Sequence, residues 1–490
     1  MRTDFGSFYC FLLCVSVLPS GGTEPAEYFP RQSVPAFQIT DAFISSDKTL
    51  RLVINMGFLA SQHGSKKTKF FHELTHSSNR ASGEVGRGGY EPSPFVCRFK
   101  HFGKTVDARM YRSPNDNEIF QQNRKRNARH YETVLAYCQV PESIVSLPVF
   151  QSTADLVYYD NEDSESSSGR KREIFLTAAR KGKLDVYGIA FTWNASRVQS
   201  KGRSKMAVCT CVYKVDEFLP EWILYHYHLG FSKVYIFDDS GNRMTRTKDA
   251  ISGFIEDGMV EYLEWPMTPK STAKFFPRQI SAMNSCLQRF GRFHEYIFVG
   301  DSDEFLVPAI SLQVRDYAEG MLKPLEAGRT IMNQAAVELQ GVLDRNKGRS
   351  VSMANVDVGG DQRAALLNSK MIIEAGDREC KWGVSKDREK TIFYVNFGNE
   401  SPLIIDQGHN VVLGRTPAIA ADSSRLRMHH YWSPSADQSC PYVALRTTEG
   451  TAGREPDKKR FSWIHTSDRS VHTYLSTQME AMKSRRDQDN

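Results

Sequence analysis

No apolar run in this chain reaches the ~18 residues of a membrane-spanning helix, which excludes a polytopic membrane protein. Neither sign of charge dominates: 63 basic and 57 acidic residues leave +6 over 490 residues. An excess that small, with no focused patch, gives no argument for a nucleic-acid partner. Nine cysteines are too few for a disulfide-defined scaffold of this length. No CxxC or His partner has zinc spacing, so Cys209 and Cys211 read as small buried hydrophobes on one face of a strand. There is no GxxxxGK[ST], and no GxGxxG follows the first strand of the α/β region, so a P-loop and a dinucleotide fingerprint are both unsupported. What remains is ordinary: 24% charged and 11% aromatic residues exclude wholesale disorder, collagen and coiled coil.

The first informative stretch is FYCFLLCVSVL, from Phe8 to Leu18, with Arg2 before it and Pro19-Ser20-Gly21-Gly22 after it. That is the layout of a secretory signal peptide, and a short uncleaved signal-anchor is its competitor. Residues 1–22 are assigned to it. An oxidising lumen follows, in which cysteines pair. Without Cys10 and Cys14, seven cysteines stay, an odd number. Cys97 (PFVCRF) and Cys138 (LAYCQVP) lie in strand-like runs and are expected to pair. Sequons at Asn194 and Asn399 permit glycosylation but are no more than chance supplies.

Residues 23–150 show no helical periodicity. Short runs such as Thr49–Ile54, Phe95–Phe99 and Thr133–Val140 read as strands between turns, a β-sandwich or similar accessory module. YYDNEDSESSSGRKR, from Tyr158 to Arg172, is nearly free of apolar residues, and 151–200 is taken as a linker. From residue 201 the texture changes. MAVCTCVY (206–213) is apolar on both faces of a strand, and a helix follows with Leu219, Ile223 and Tyr227 on one side. SKVYIF (232–237), a helix over Lys248–Ile255, Met259–Trp265, a helix over Arg278–Phe290 and YIFVG (296–300) complete β-α-β-α-β-α-β. The fold class is therefore α/β, with a mostly parallel sheet and a β-rich module before it. This domain is placed at 201–440, with 441–490 as a C-terminal extension.

In such sheets ligands bind at the carboxyl ends of the strands. Acidic residues fall there: Asp216 and Glu217, Asp238 and Asp239, then Asp301 and Asp303. Without a glycine cradle, a diphosphate needs a cation partner, and Mg²⁺ or Mn²⁺ takes carboxylates together with phosphate oxygens. Asp301-Ser302-Asp303 supplies two carboxylates on one face if the chain stays extended, with Glu304 on the other.

VCTCVYKVDEFLPEWILYHYHLGFSKVYIFDDS (208–240), RQISAMNSCLQRF (278–290), YIFVGDSDEF (296–305) and MHHYWSPS (428–435) together resemble glycosyltransferase family 92, in order and spacing. The resemblance implies a GT-A fold with a mixed, mostly parallel sheet. It also implies a UDP-linked donor with galactose as the sugar, Mn²⁺ dependence, and inverting transfer to a glycan or glycoprotein acceptor in the Golgi, with a cleaved signal or one N-terminal anchor. On this resemblance Asp301 and Asp303 (the DXD motif) and His430, with His429 as the alternative, would hold the metal. Asp238 or Asp239 would meet the nucleoside, as would Lys214, Asp216 or Glu217. Arg278 and Gln279 would meet phosphate or sugar. The base that deprotonates the acceptor is expected beyond Pro308, where Glu338, Glu374, Asp377 and Asp406 all stand. TIMNQAAVELQGVLDRNKG (330–348) replaces the Trp/Gly-rich segment of the family, so acceptor contacts are expected to differ there. Two competing functions are a metal-dependent phosphodiesterase or other hydrolase, and a secreted glycan-binding protein on an inactive enzyme fold.

Overall fold

The structure is a computed structural model. It describes residues 38–45, 48–55, 95–112, 133–146, 149–158, 186–194, 204–213, 215, 219–241, 244–265, 275–359, 378–379, 385–395, 403–406, 410–413, 418–431, 461–463 and 469–489. The signal segment, the sequon at Asn399 and the C-terminal stretch 432–460 lie outside them.

Seven strands form the first sheet: β1 (Gln38–Ile44), β2 (Thr49–Asn55), β3 (Phe95–Phe99), β4 (Lys104–Arg112), β5 (Thr133–Gln139), β6 (Val149–Tyr158) and β7 (Val186–Asn194). They pair antiparallel in the order β1-β2-β5-β4-β3-β6-β7. The module is one sheet that curls until its end strands β1 and β7 touch, rather than two stacked sheets. Alternation supplies its core: Leu50, Leu52 and Ile54 of β2 point inward with Ala136 and Cys138 of β5, Cys97 and Phe99 of β3, and Leu156 of β6. Cys97 and Cys138 are disulfide-bonded within it, as expected. β6 and β7 extend this module to residue 194, beyond the boundary expected at 150. The linker assignment counted a polar stretch and overlooked the two strands on either side of it. A short helix α1 (Glu142–Val145) closes the end of β5.

The second sheet is built from β8 (Ser204–Val212), β9 (Lys233–Asp238), β10 (Val260–Glu264), β11 (His294–Val299), β12 (Glu304–Ser311), β13 (Val351–Gly359), β14 (Arg378–Glu379), β15 (Ser385–Tyr394), β18 (Ile419–Ala420), β19 (Leu426–Tyr431) and β20 (Phe461–Trp463). β16 (Ile404–Asp406) and β17 (Asn410–Leu413) form a separate hairpin. The main order is β10-β9-β8-β11-β15-β13-β19-β12-β20. β10, β9, β8 and β11 run parallel, as the strand–helix alternation predicts. β15 and the strands beyond it make the sheet mixed.

Helices cover both faces: α2 (Leu219–His228), α3 (Met244–Ala250), α4 (Ser252–Glu256), α5 (Phe275–Phe290), α6 (Leu312–Met321), α7 (Pro324–Arg345) and α8 (Arg469–Asp489). β8 is apolar all round because it is covered on both sides. Met206 and Val208 face Trp222, Phe298 and Phe305 in one core, whereas Ala207, Cys209 and Cys211 face Met283 and Leu287 in the other. Each buried side chain of the size of Phe298 or Phe305 contributes ~1.5–3 kcal/mol. Cys209 is bonded to Cys286 of α5, which corrects its reading as a simple hydrophobe. Cys211 is buried beside it and forms no disulfide. The segment 330–348 lies largely on α7, whose Ile331, Met332, Ala335, Leu339 and Leu343 are buried. α8 packs closely on it, at a point where a Cβ on Gly328 would stand 2.1 Å from the carbonyl oxygen of Ser470.

The two sheets meet on α5. Its apolar stripe of Ile280, Met283, Cys286, Leu287 and Phe290 is buried as the spacing predicts, but its polar stripe is buried too. Asn284 bonds both backbone groups of Ile405, at 3.0 Å each, as a strand neighbour would. Gln288 accepts from Tyr137 at 2.5 Å and from Arg51 at 3.2 Å. Ser285 and Arg289 both hold the carboxylate of Asp41. Helix α5 thus belongs to both modules.

Candidate functional site

The acidic residues gather where β11 ends. Gly300 leads into them with its N–H bonded to the Cys209 carbonyl at 3.2 Å. A Cβ here would stand 2.5 Å from the Phe298 ring, so the position tolerates only glycine without displacing that ring. Residues 301–303 then form a turn, closed by Glu304 N–H on the Asp301 carbonyl at 3.0 Å, and are not extended. The turn folds Glu304 back toward Asp301, whose N–H donates to Glu304 Oε2 at 2.8 Å. This reverses the expectation that Glu304 faces away.

β12 continues from the turn and pairs antiparallel with β19, setting Glu304 opposite His430 and Phe305 opposite His429. That register carries His430 to the acidic turn: its Nε2 lies 3.5 Å from Asp303 Oδ2. His429, one residue earlier, alternates to the other face and is fully buried. Helix α2 anchors β12 from behind, with Trp222 Nε1–H on the Glu304 carbonyl at 2.8 Å and the Tyr225 hydroxyl on the Leu306 carbonyl at 2.6 Å.

Asp301 is held differently. Gln279, at the start of α5, donates to its Oδ1. Lys390 of β15 approaches its Oδ2 at 3.4 Å and Glu304 Oε2 at 3.0 Å. Lys390 and Glu304 are almost wholly buried. Burial pushes the Glu304 carboxyl up to about 7, with Lys390 opposing and Asp301 and Asp303 adding to the rise. The two carboxylates hold Lys390 above the ordinary lysine value despite its burial.

Asp238 is fully buried, with Oδ1 on the N–H of Ser240 at 2.8 Å and Oδ2 on the hydroxyl of Tyr262 at 2.7 Å. Asp239 beside it is also buried. Arg278 lies in the first turn of α5, and its side chain is outside the described residues. Lys214, Asp216, Glu217, Glu374 and Asp377 are outside them as well. Glu338 sits on α7, accepting from Gln334 at 3.1 Å. Asp406 ends β16, with its side chain undescribed.

Among the described residues no three His, Cys, Asp or Glu side chains converge as a ready-made metal shell. Asp303 and His430 make a pair, one oxygen and one nitrogen ligand, both partly open to solvent. That donor set, completed by water and phosphate oxygens, would suit Mn²⁺, which tolerates an imidazole nitrogen, better than Mg²⁺ or Ca²⁺, which prefer oxygens.

Residues 204–348 match a family model described as Glycosyltransferase family 92. The segment is thus similar to glycosyltransferase family 92 over a little under a third of the chain. It runs from β8 to the end of α7 and so contains Gln279, Asp301, Asp303 and Glu304. Lys390 and His430 lie beyond the family 92 match and join it through strand pairing. No curated protein matched the chain. Sequence reasoning missed Lys390, because a lysine in the strand-like run EKTIFY carries no sign that its ammonium is buried.

Proposed function

We propose that this chain is a metal-dependent inverting glycosyltransferase of GT-A type that moves galactose from UDP-galactose to a hydroxyl of a glycan or glycoprotein. The observation that carries the reading is the approach of His430 to Asp303 at the carboxyl end of a parallel sheet, inside and beside a family 92 segment. Asp303 and His430 would hold Mn²⁺ or Mg²⁺, with Asp301 alongside. Such a cation, when bound, neutralises charge that builds on the leaving diphosphate.

The chain's own residues supply the frame. Gln279 and Lys390 orient Asp301, and β12 is held rigid by Trp222 and Tyr225. Asp239 and the loop after β8, with Lys214, Asp216 and Glu217, would face the nucleoside. Asp238 is bound to its own turn and to Tyr262, so its role is to shape that corner. The acceptor hydroxyl would lose its proton to a carboxylate beyond Pro308 on the face opposite the diphosphate. Two disulfides among the described residues agree with passage through an oxidising lumen, and Golgi residence, by a cleaved signal or an anchor, belongs to the same proposal. No helix of the described residues is long and apolar enough to cross a membrane.

A panel of nucleotide sugars, assayed for hydrolysis by the full chain with Mn²⁺, tests the donor assignment. UDP-galactose should turn over fastest. Equal or faster turnover of a GDP- or CMP-sugar would refute it.

A further inference from the structure

Lys390 is the least expected group at the site. Its ammonium is buried, 3.0 Å from Glu304 Oε2 and 3.4 Å from Asp301 Oδ2. A buried ammonium is costly unless charge and hydrogen bonds compensate it, and here two carboxylates do. β15 is held in register on both sides: Ile392 pairs with Phe298 of β11, and Lys390 itself pairs with Met353 of β13. The backbone that carries the lysine is therefore fixed from both sides. Gln279 takes the other oxygen of Asp301, so both oxygens of that carboxylate face protein donors. Asp303, two residues on, faces His430 instead.

We propose that Lys390 is a positioning residue, a fixed cation that keeps Asp301 out of the ligand shell and leaves Asp303 and His430 to take one divalent ion. An ammonium and a divalent ion repel when they share a carboxylate oxygen, so the lysine sets both which aspartate ligates and how tightly the ion is held. This inference rests on the metal-dependent reading above.

The test is Mn²⁺ binding to the full chain, measured by calorimetry or by loss of the free-Mn²⁺ electron paramagnetic signal, without donor. In the wild-type background, Asp301→Asn should change the Mn²⁺ dissociation constant by less than about 3-fold and Asp303→Asn should weaken it by at least about 30-fold. Lys390→Met should tighten binding by about 10-fold, because it frees the Asp301 carboxylate to join the ligand shell. Lys390→Met leaves Glu304 buried without its partner, so the double variant Lys390→Met/Glu304→Gln is measured beside it and should also bind more tightly. Adding Asp301→Asn to either background should abolish the gain. That coupling is a readout which a purely structural lysine would not move. Equal losses from Asp301→Asn and Asp303→Asn in the wild-type background would overturn the proposal. So would additive effects of Lys390 and Asp301. Wild-type protein that binds no Mn²⁺, even with UDP present, would overturn the metal reading and this inference together. Binding without the coupling would overturn this inference alone.

Discussion

Arg289 of α5 grips Asp41 of β1 with both its Nε and an Nη, joining two modules that lie far apart in sequence. The guanidinium also lies over the Phe43 ring, 4.6 Å from its centre. Asp41 is nearly buried, whereas Arg289 keeps about a quarter of its side chain exposed. Breaking such a pair from one side leaves a desolvated charge. Asp41→Ala should therefore cost about 2–3 kcal/mol, less than the full loss for a wholly buried pair. Denaturant unfolding of Asp41→Ala, Arg289→Met and the double variant checks this. The double variant should lose less than the sum of the single losses.

Cys209 and Cys286 tie β8, an inner strand of the sheet, to the same helix. The bond spans 77 residues, and on a chain-entropy model closing a loop of that length stabilises the fold by about 4.5 kcal/mol. Cys209→Ala/Cys286→Ala should lower the melting temperature under oxidising conditions. The same variant should show a smaller drop on adding reductant than the wild type, which loses this bond as well as Cys97–Cys138.

His226 is stacked on Phe298 and Phe305 in the core, with Nδ1 2.9 Å from the Trp222 carbonyl. Burial pulls its pKa down to about 3, and that hydrogen bond opposes the fall only in part. The unfolded chain takes up a proton near pH 6.5 that the folded chain refuses until about pH 3. Stability from this residue is thus present above pH 6.5 and is lost as pH falls through the window, at ~1.4 kcal/mol per unit. His226→Phe should melt with a shallower pH dependence between 6.5 and 4 than the wild type.

Gly300 stands against the Phe298 ring immediately before Asp301. Gly300→Ala should destabilise the protein by roughly 1–3 kcal/mol through overpacking. Because the strain falls at the acidic turn, turnover should drop more than the loss of folded protein accounts for. Activity per folded molecule, with the folded fraction read from a melt at the assay temperature, checks it.

Much of the second sheet was legible because apolar runs and helical spacing alternate cleanly from Met206 to Val299. The Asp301–Asp303 ledge stood out by its place at a strand end. Cys97 and Cys138 were legible as a pair because each lies in a strand of one small module. The Cys209–Cys286 bond was not, since it depends on α5 lying across β8. The polar stripe of α5 looks like a solvated face, but Asp41 of the first sheet covers Ser285, the Leu403–Ile405 segment covers Asn284, and both sides meet Gln288. Lys390 fails for the same reason: local sequence shows a charge, whereas its partners come from β11–β12 chain segments brought beside β15 by sheet pairing. The extension of the first module to β7 was obscured by the polar stretch between β6 and β7.

The proposed cation site at Asp303 and His430 must be needed for sugar transfer. Its most direct measurement is UDP release from UDP-galactose by the full chain, in EDTA, then with Mn²⁺ restored, for wild type, Asp303→Asn and His430→Gln. Turnover is expected only with Mn²⁺, with a loss of roughly 100-fold or more in each variant. Turnover that persists in EDTA, or that survives in Asp303→Asn, would contradict it.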